Sequence, residues 1–425
     1  MSGSPDLIPA SGDVAGAPAS VERESGRLPH GQPPGQPVHL SWSSHPHIRL
    51  SALQAAHFSG IGIFMPFMPP WLSSQGLGDK QIGIVLAMGM IIRMLASQPV
   101  SSLGDGRLGA VRVLIVIQML SAAVYLTLPT LGSPQAVMAA MAAVALLAAG
   151  IVPLGDHLTT VQVRRQPTLN FARIRLWGSV AFLVTSTASG FAIARFGLGV
   201  VPLSLAFCSV AAACAAMGVT EARRDRAEKL PPPPEPDSPR QARLLMLVIA
   251  ASALINASHG ALYGFASLHW RSLGIDAGVI GLLWSCSVVA EIVLLWTFGG
   301  KAWGSRRMAL GFLAVAGLAA LVRFAAMPYA TTLPALFALQ MLHAISFGAQ
   351  LMGVMAMVAM LAPEGRQARA QGQLSATNAF AMGAATLLSG MVYERAGPQV
   401  FHFMLPIAAS GLVLIAITYR LARVR

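Results

Sequence analysis

The chain is a succession of long apolar runs, each about as long as a bilayer is thick, separated by short polar segments. A spanning helix needs roughly 20 mostly apolar residues to cross about 30 Å of hydrocarbon. Twelve runs meet that length: Ile48–Leu72, Ile82–Val100, Val111–Leu128, Val137–Leu158, Ile174–Ala194 and Val200–Val219, then Leu244–Leu268, Val279–Phe298, Met308–Met327, Leu336–Leu361, Leu374–Tyr393 and Val400–Tyr419. Lipid leaves every backbone polar group to be satisfied within the segment, so these runs predict helices. The period-two alternation of a membrane β-strand is absent, which argues against a barrel. The expected fold class is an all-α polytopic membrane protein with twelve transmembrane helices.

The runs repeat in order. Trp71, Ile82-Gly83 and Arg93 recur as Trp270, Ile280-Gly281 and Glu291, with Gly83 to Gly281 and Arg93 to Glu291 both offset by 198. Ser189-Gly190, Arg195 and Gly197 recur as Ser389-Gly390, Arg395 and Gly397, offset by 200. Two such matches at corresponding helices predict a duplicated six-helix unit, a common transporter design with its substrate site near midplane between the halves. The expected organisation is a disordered cytoplasmic tail (1–47), a six-helix half (48–220), a cytoplasmic linker (221–243), a second six-helix half (244–420) and a short tail (421–425). The first segment is rich in Pro, Gly and Ser without an apolar run, which predicts disorder. It does not read as a signal peptide, because the first apolar stretch continues as a full span. The linker carries Pro231–Pro234 and Pro236, which favour extended chain.

Composition sharpens this picture. Hydrophobic residues make up 55% of the sequence and charged ones 11%, and the net charge is +13. That charge is placed by topology and calls for no nucleic acid. With a cytoplasmic N-terminus, the short inner segments hold Arg107, Arg112, Arg164, Arg165, Arg173, Arg175, Lys301, Arg306, Arg307, Arg366 and Arg369, against Lys80, Arg195, Arg271 and Arg395 outside. This bias obeys the positive-inside rule and predicts both termini in the cytoplasm of a bacterial inner membrane. Cys208, Cys214 and Cys286 lie within apolar spans as small hydrophobes, with no metal or disulfide spacing. No cofactor is expected. Leu103-Gly-Asp-Gly-Arg-Leu-Gly109 is glycine-rich without Walker or Rossmann context, so nothing suggests an ATP-driven pump. No loop is long enough for a soluble catalytic domain and no nucleophile–base cluster is evident, which argues against an enzyme.

Charge inside a span is costly unless it faces a cavity or a partner, so the few such residues carry information. The acids well inside apolar runs are Asp156 and Glu291; the bases are Arg93, Arg323 and, opening the fifth span, Arg175; the histidines are His57, His157, His259 and His343. Residues equally far from a connecting loop lie at equal depth in adjacent helices. This predicts the pairs Asp156–Arg175 and Arg323–His343, with a looser match of Glu291 to Arg323. The plain alternative is that such charges only neutralise one another and hold helices in register. His57 and His157 are more often packing histidines than ligands. The cluster Met352, Met355, Met357 and Met360 reads as packing.

The residues also carry a resemblance. The 103–109 loop looks like a degenerate form of the major facilitator loop motif. Gly62-Ile-Phe-Met-Pro-Phe67, Val152-Pro-Leu-Gly-Asp156, Arg175-Leu-Trp-Gly-Ser179, His259-Gly-Ala-Leu-Tyr-Gly264, Leu283-Trp-Ser285, Val288-Val-Ala-Glu291, Arg323 and Leu342-His343 resemble the 3-phenylpropionic acid permease family over nearly all the membrane region. More distantly, the order Asp156, Arg175, Glu291, Arg323 and His343 is similar to the charge layout of lactose–proton symporters. A carboxylate expected one turn after the histidine is missing there, where Ser346 and Phe347 stand. The resemblance implies a major facilitator fold and proton-coupled uptake of a small aromatic carboxylate by alternating access. In that reading Glu291 carries the proton with Arg323 and His343. Arg175 takes the carboxylate with Trp177 against the ring, Asp156 positions Arg175, and Arg93 is a second carboxylate candidate. His259 and Tyr263 line the cavity. The expected partners are a small-molecule substrate, a proton and the lipid bilayer, and the expected state is a monomer. A proton-coupled sugar or nucleoside symporter, an exporter of hydrophobic compounds and a non-transporting membrane receptor stay open as alternatives.

Overall fold

The computed structural model describes residues 45–106, 108–166, 168–219, 239–298, 301–363 and 366–423. The expected tail up to residue 44, residue 220, residues 221–238 of the linker, Arg107 of the glycine-rich loop and the last two residues lie outside the described residues. The described residues form helices joined by short turns. In chain order these are α1 (Pro46–Ser74), α2 (Asp79–Gly104), α3 (Ala110–Thr130), α4 (Pro134–Arg165), α5 (Phe171–Phe196) and α6 (Val200–Met217). Then come α7 (Pro239–Ser272), α8 (Ala277–Phe298), α9 (Arg306–Tyr329), α10 (Leu333–Leu361), α11 (Gln367–Ala396) and α12 (Val400–Arg423). The last apolar stretch, Arg369–Ala422, is broken by Gly397 at φ 52°, a conformation open to glycine, and therefore makes two crossings. Twelve long helices result, the number expected of spans. Several helices outrun their apolar cores: α11 begins at Gln367 rather than Leu374, and α7 at Pro239 rather than Leu244. Backbone hydrogen bonding continues through polar turns that hydropathy does not register.

Local chemistry sets the starts. Pro46 and Pro134 sit in first turns, where a missing N–H costs nothing. Ser133 and Ser305 cap α4 and α9 by accepting from Ala136 N (3.2 Å) and Met308 N (3.1 Å). Breaks have equally local causes. In α7 the Ile255 carbonyl is taken by the Ser258 hydroxyl (2.7 Å) and the His259 ring (3.1 Å), and the His259 amide turns to Asn256 O instead. A side chain inserted into the backbone ladder interrupts the helix at that point. Residues Ala344–Ala349 of α10 form a π-helical turn, beside which Gly348 leaves room for Glu291 and Leu294 of α8.

Two helix pairs make most of the junction between the first six helices and the last six, α2 with α11 and α5 with α8, and α1 adds a smaller contact with α7. Both pairs make backbone-close contacts near the end of the molecule opposite the termini. A Cβ on Gly83 would lie 2.8 Å from Gly390 Cα, one on Gly281 2.4 Å from Ser186 O, and one on Gly190 2.4 Å from Ala277 O. Gly83, Gly190, Gly281 and Gly390 of the sequence repeat are thus points where the two sets meet. Toward the end where the described termini lie the α2–α11 contact loosens. A Cβ on Gly383 would meet Ile91 only at 3.5 Å, and one on Gly372 would meet nothing. The cores follow the same division. One continuous cluster at the far end draws on both sets, from Phe67, Trp71 and Ile82 to Trp270, Trp284 and Phe401. At the termini end there are two separate clusters, one around Leu50, Leu114 and Leu158 and one around Val248, Leu313 and Met357.

Candidate functional site

Where the α2–α11 contact loosens lies a cavity of about 820 Å³. Among the described residues α9 and α12 contribute nothing to its wall, and the other ten helices do. Its charged lining residues are Arg93 on α2, Arg175 on α5 and Glu291 on α8. Its aromatic ones include Phe58, Tyr125, Tyr263, Trp284 and Phe347, and its neutral amides are Gln118, Asn256 and Asn378. An apolar hollow with a few convergent polar groups is the usual form of a small-molecule site.

One wall of this cavity is a layered aromatic and imidazole cluster. Tyr263 lies 6.0 Å from the His343 ring, 6.0 Å from His259 and 6.1 Å from Trp284, and His343 stacks on Phe347 at 5.2 Å. The Trp284 indole N–H donates to Ser267 Oγ at 2.9 Å, which fixes its plane. Behind His343, Arg323 is wholly buried. Its Nη1 donates to His343 Nδ1 at 2.9 Å and its Nη2 to Gln340 Oε1. A guanidinium has only donors, so His343 Nδ1 presents a lone pair and the ring proton belongs on Nε2. The expected Arg323–His343 contact is present. Glu291 does not join it, and among the described residues no carboxylate pairs with Arg323.

Other expectations are corrected by the geometry. Asp156 does not pair with Arg175: it accepts from Gln54 Nε2 of α1 at 2.9 Å, and the Arg175 guanidinium lies 3.7 Å over the Phe58 ring. Equal depth placed the two at one height, but α1 stands between α4 and α5 and supplies nearer partners. Trp177 is 49% exposed and off the cavity wall, while Arg175, Ser179 and Phe182 line it. A residue two places along a helix is turned about 200° away, so Arg175 and Trp177 cannot share a face. His259 is one layer back from the wall. Its Nδ1–H donates to Ile255 O, and its Nε2 meets the Ser346 hydroxyl at 3.0 Å. His157 is exposed, and His57 lines the cavity packed against Gly155. Arg93, Arg175, Glu291, Tyr263 and His343 reach the wall as expected. The neutral amides Gln118, Asn256, Asn378 and Gln340 were not foreseen. Their signal was available, because an amide within an apolar span calls for a partner just as a charge does.

These features define a class: a polytopic helical transporter with a central cavity between two six-helix sets. The chain belongs to the MFS_1 like family, whose model matches residues 47–404. It is 30% identical over 373 residues to a protein described as a probable 3-phenylpropionic acid transporter from Escherichia coli (strain K12), covering 84% of this chain and 94% of that protein. Among solved structures it is similar to a mutant form of the nucleoside transporter NupG, with a TM-score of 0.72 at 16% identity over 89% of this chain and 100% of that one. It is also similar to an auto-inhibited POT family peptide transporter, with a TM-score of 0.66 at 13% identity over 89% and 97%. At those identities the solved structures speak for the fold alone. The chain is a multi-pass membrane transporter of the major facilitator type.

Proposed function

We propose that this transporter takes up a small aromatic carboxylate, such as 3-phenylpropionate, together with a proton across a bacterial inner membrane. The supporting observation is a guanidinium without a direct ion pair beside aromatic surface in one cavity. Among the described residues Arg175 makes no ion pair or hydrogen bond and lies over Phe58, and the Tyr263–Trp284–Phe347 wall lines the same cavity. A planar guanidinium binds a carboxylate through two parallel hydrogen bonds, and stacked rings supply apolar area with defined orientation. The relative from Escherichia coli, described as a probable 3-phenylpropionic acid transporter, points to the same substrate class.

In this reading Arg175 receives the carboxylate, with Arg93 the second candidate. Tyr263 faces the ring of the substrate, with His259 holding it from behind. Asp156 acts on Arg175 from a distance by fixing α1 through Gln54, and Trp177 faces away from substrate. Glu291 takes the proton, and the Arg323–His343–Gln340 group on the same side of the cavity sets the field in which it does so. Both termini are cytoplasmic, so the open end faces the cytoplasm. The two six-helix sets rock about the glycine contacts to alternate access. The test is uptake of labelled 3-phenylpropionate into proteoliposomes with and without an inward proton gradient. Accumulation that follows the gradient is the expected result. No uptake by vesicles holding folded protein would overturn the aromatic-acid reading and direct the search to sugars and nucleosides.

A further inference from the structure

Past the sealed contacts, each of the two joining helix pairs carries a guanidinium on one helix and a side-chain oxygen at the same height on the other. On α5 and α8 the reference point is Gly281 against the Ser186 carbonyl. Glu291 lies ~10 residues further along α8 and Arg175 ~11 residues back along α5, which is about 15 and 16 Å at about 1.5 Å per residue. On α2 and α11 the reference is Gly383 against Ala87, Met90 and Ile91. Asn378 is ~5 residues beyond Gly383 and Arg93 ~4 residues beyond the middle of that contact, again level to within about 2 Å. All four side chains line the cavity. Among the described residues none of them makes a hydrogen bond or ion pair, and Asn378 Oδ1 is buried without a partner.

A buried amide oxygen without a donor, level with a guanidinium on the facing helix, calls for an explanation. We infer that Arg93 and Asn378 form a latch that closes the termini end of the cavity when the two six-helix sets rock together, which makes Asn378 a positioning residue of the transport cycle. Closure extends the α2–α11 register already set by Gly83, Gly390 and Gly383, and that register carries the two groups toward each other. The α5–α8 pair brings Arg175 toward Glu291 in the same way. The two latches differ in what can displace them. Substrate carboxylate and proton compete for Arg175 and Glu291, a statement that rests on the function proposed above. Arg93 and Asn378 contain no acid, so their contact serves the empty and the loaded carrier alike. This assignment leaves Arg175 as the receptor for the carboxylate.

The test reads the conformation and needs no substrate. Spin labels at Leu103 and Ser375, both exposed near the termini end of α2 and α11, report the opening in full-length protein in nanodiscs, with Cys208, Cys214 and Cys286 replaced by serine. Asn378→Asp replaces a neutral acceptor with a charged one, and the expected result is a shift toward the short-distance population by ~tenfold. Arg93→Gln is expected to shift it the opposite way and to cancel the effect of Asn378→Asp in the double variant. An unchanged distribution in both single variants overturns the latch. So does an Asn378→Asp shift that persists in the Arg93→Gln background. Failure to transport 3-phenylpropionate bears on the proposed function and leaves this result intact.

Discussion

The two ends of the molecule are built from the same twelve helices and solve opposite problems. At the end away from the termini, one apolar core runs through both six-helix sets, and glycines let backbones approach until no side chain fits between them. At the termini end each set has its own core, and the space between holds Arg93, Arg175, Glu291 and Asn378, which make no hydrogen bond or ion pair among the described residues. Without a hydrophobic driving force inside lipid, helix association rests on close packing of small residues, which is what the sealed end offers. The open end replaces packing with polar groups that can bind, release or pair. Small residues close one end by backbone contact, and polar groups line the space at the other.

That contrast can be broken or sharpened by substitution. The largest effect is expected from Glu291→Gln: gradient-driven accumulation is lost completely while counterflow exchange of substrate continues. Loss of both in proteoliposomes would show that Glu291 does more than carry a proton. Next, Arg175→Lys keeps the charge but removes the planar fork. A loss of about 2 kcal/mol is expected, ~30-fold in apparent substrate affinity, measured as a rise in the KM of uptake. A change in the maximal rate at constant KM would move the substrate away from Arg175. Gly281→Val should act at the sealed end, because its Cβ would lie 2.4 Å from the Ser186 carbonyl. Overpacking of that kind costs about 1–3 kcal/mol, and here it falls on the sealed conformation alone. Spin-label distances across α5 and α8 should therefore lengthen at that end; unchanged distances would mean that the glycines do not hold it shut.

Gln340→Leu removes an acceptor from the wholly buried Arg323. Stability should fall by about 1–3 kcal/mol, read as a lower thermal midpoint in detergent, with KM nearly unchanged. A large rise in KM with intact stability would put Gln340 on the substrate. The smallest effect belongs to Trp177→Phe, expected within about 0.5 kcal/mol of the parent in stability and without effect on uptake, since the indole lies off the cavity wall.

The unequal legibility of the two ends has a physical cause. Gly83, Gly190, Gly281 and Gly390 stood out in the sequence as a repeat, and the structure gives each a backbone neighbour across the α2–α11 or α5–α8 contact. The Arg323–His343 pairing was readable because both residues flank one short turn and their helices have no other helix between them. The same reasoning failed for Asp156 and Arg175, because depth along a helix says nothing about azimuth. Gln54 took the place beside Asp156 that the hairpin had assigned to Arg175, and Phe58 the place beside Arg175 that it had assigned to Asp156. Trp177 could have been excluded by counting two residues on from Arg175, a test that needs only the helical repeat.

By itself the sequence determined the number of crossings, the all-helical class and the inventory of polar groups that must find partners. Those follow from the cost of exposing backbone or charge to lipid, which acts on each segment separately. It also determined the repeat that pairs the two halves of the chain. Only the tertiary structure decided which face of each helix meets which neighbour. It put Arg323 behind His343, His259 behind Tyr263, and Asn378 level with Arg93 across an open cavity. Azimuth is a property of the packed bundle: several faces of an apolar helix are acceptable to lipid, and the choice among them is made by close contacts with other helices.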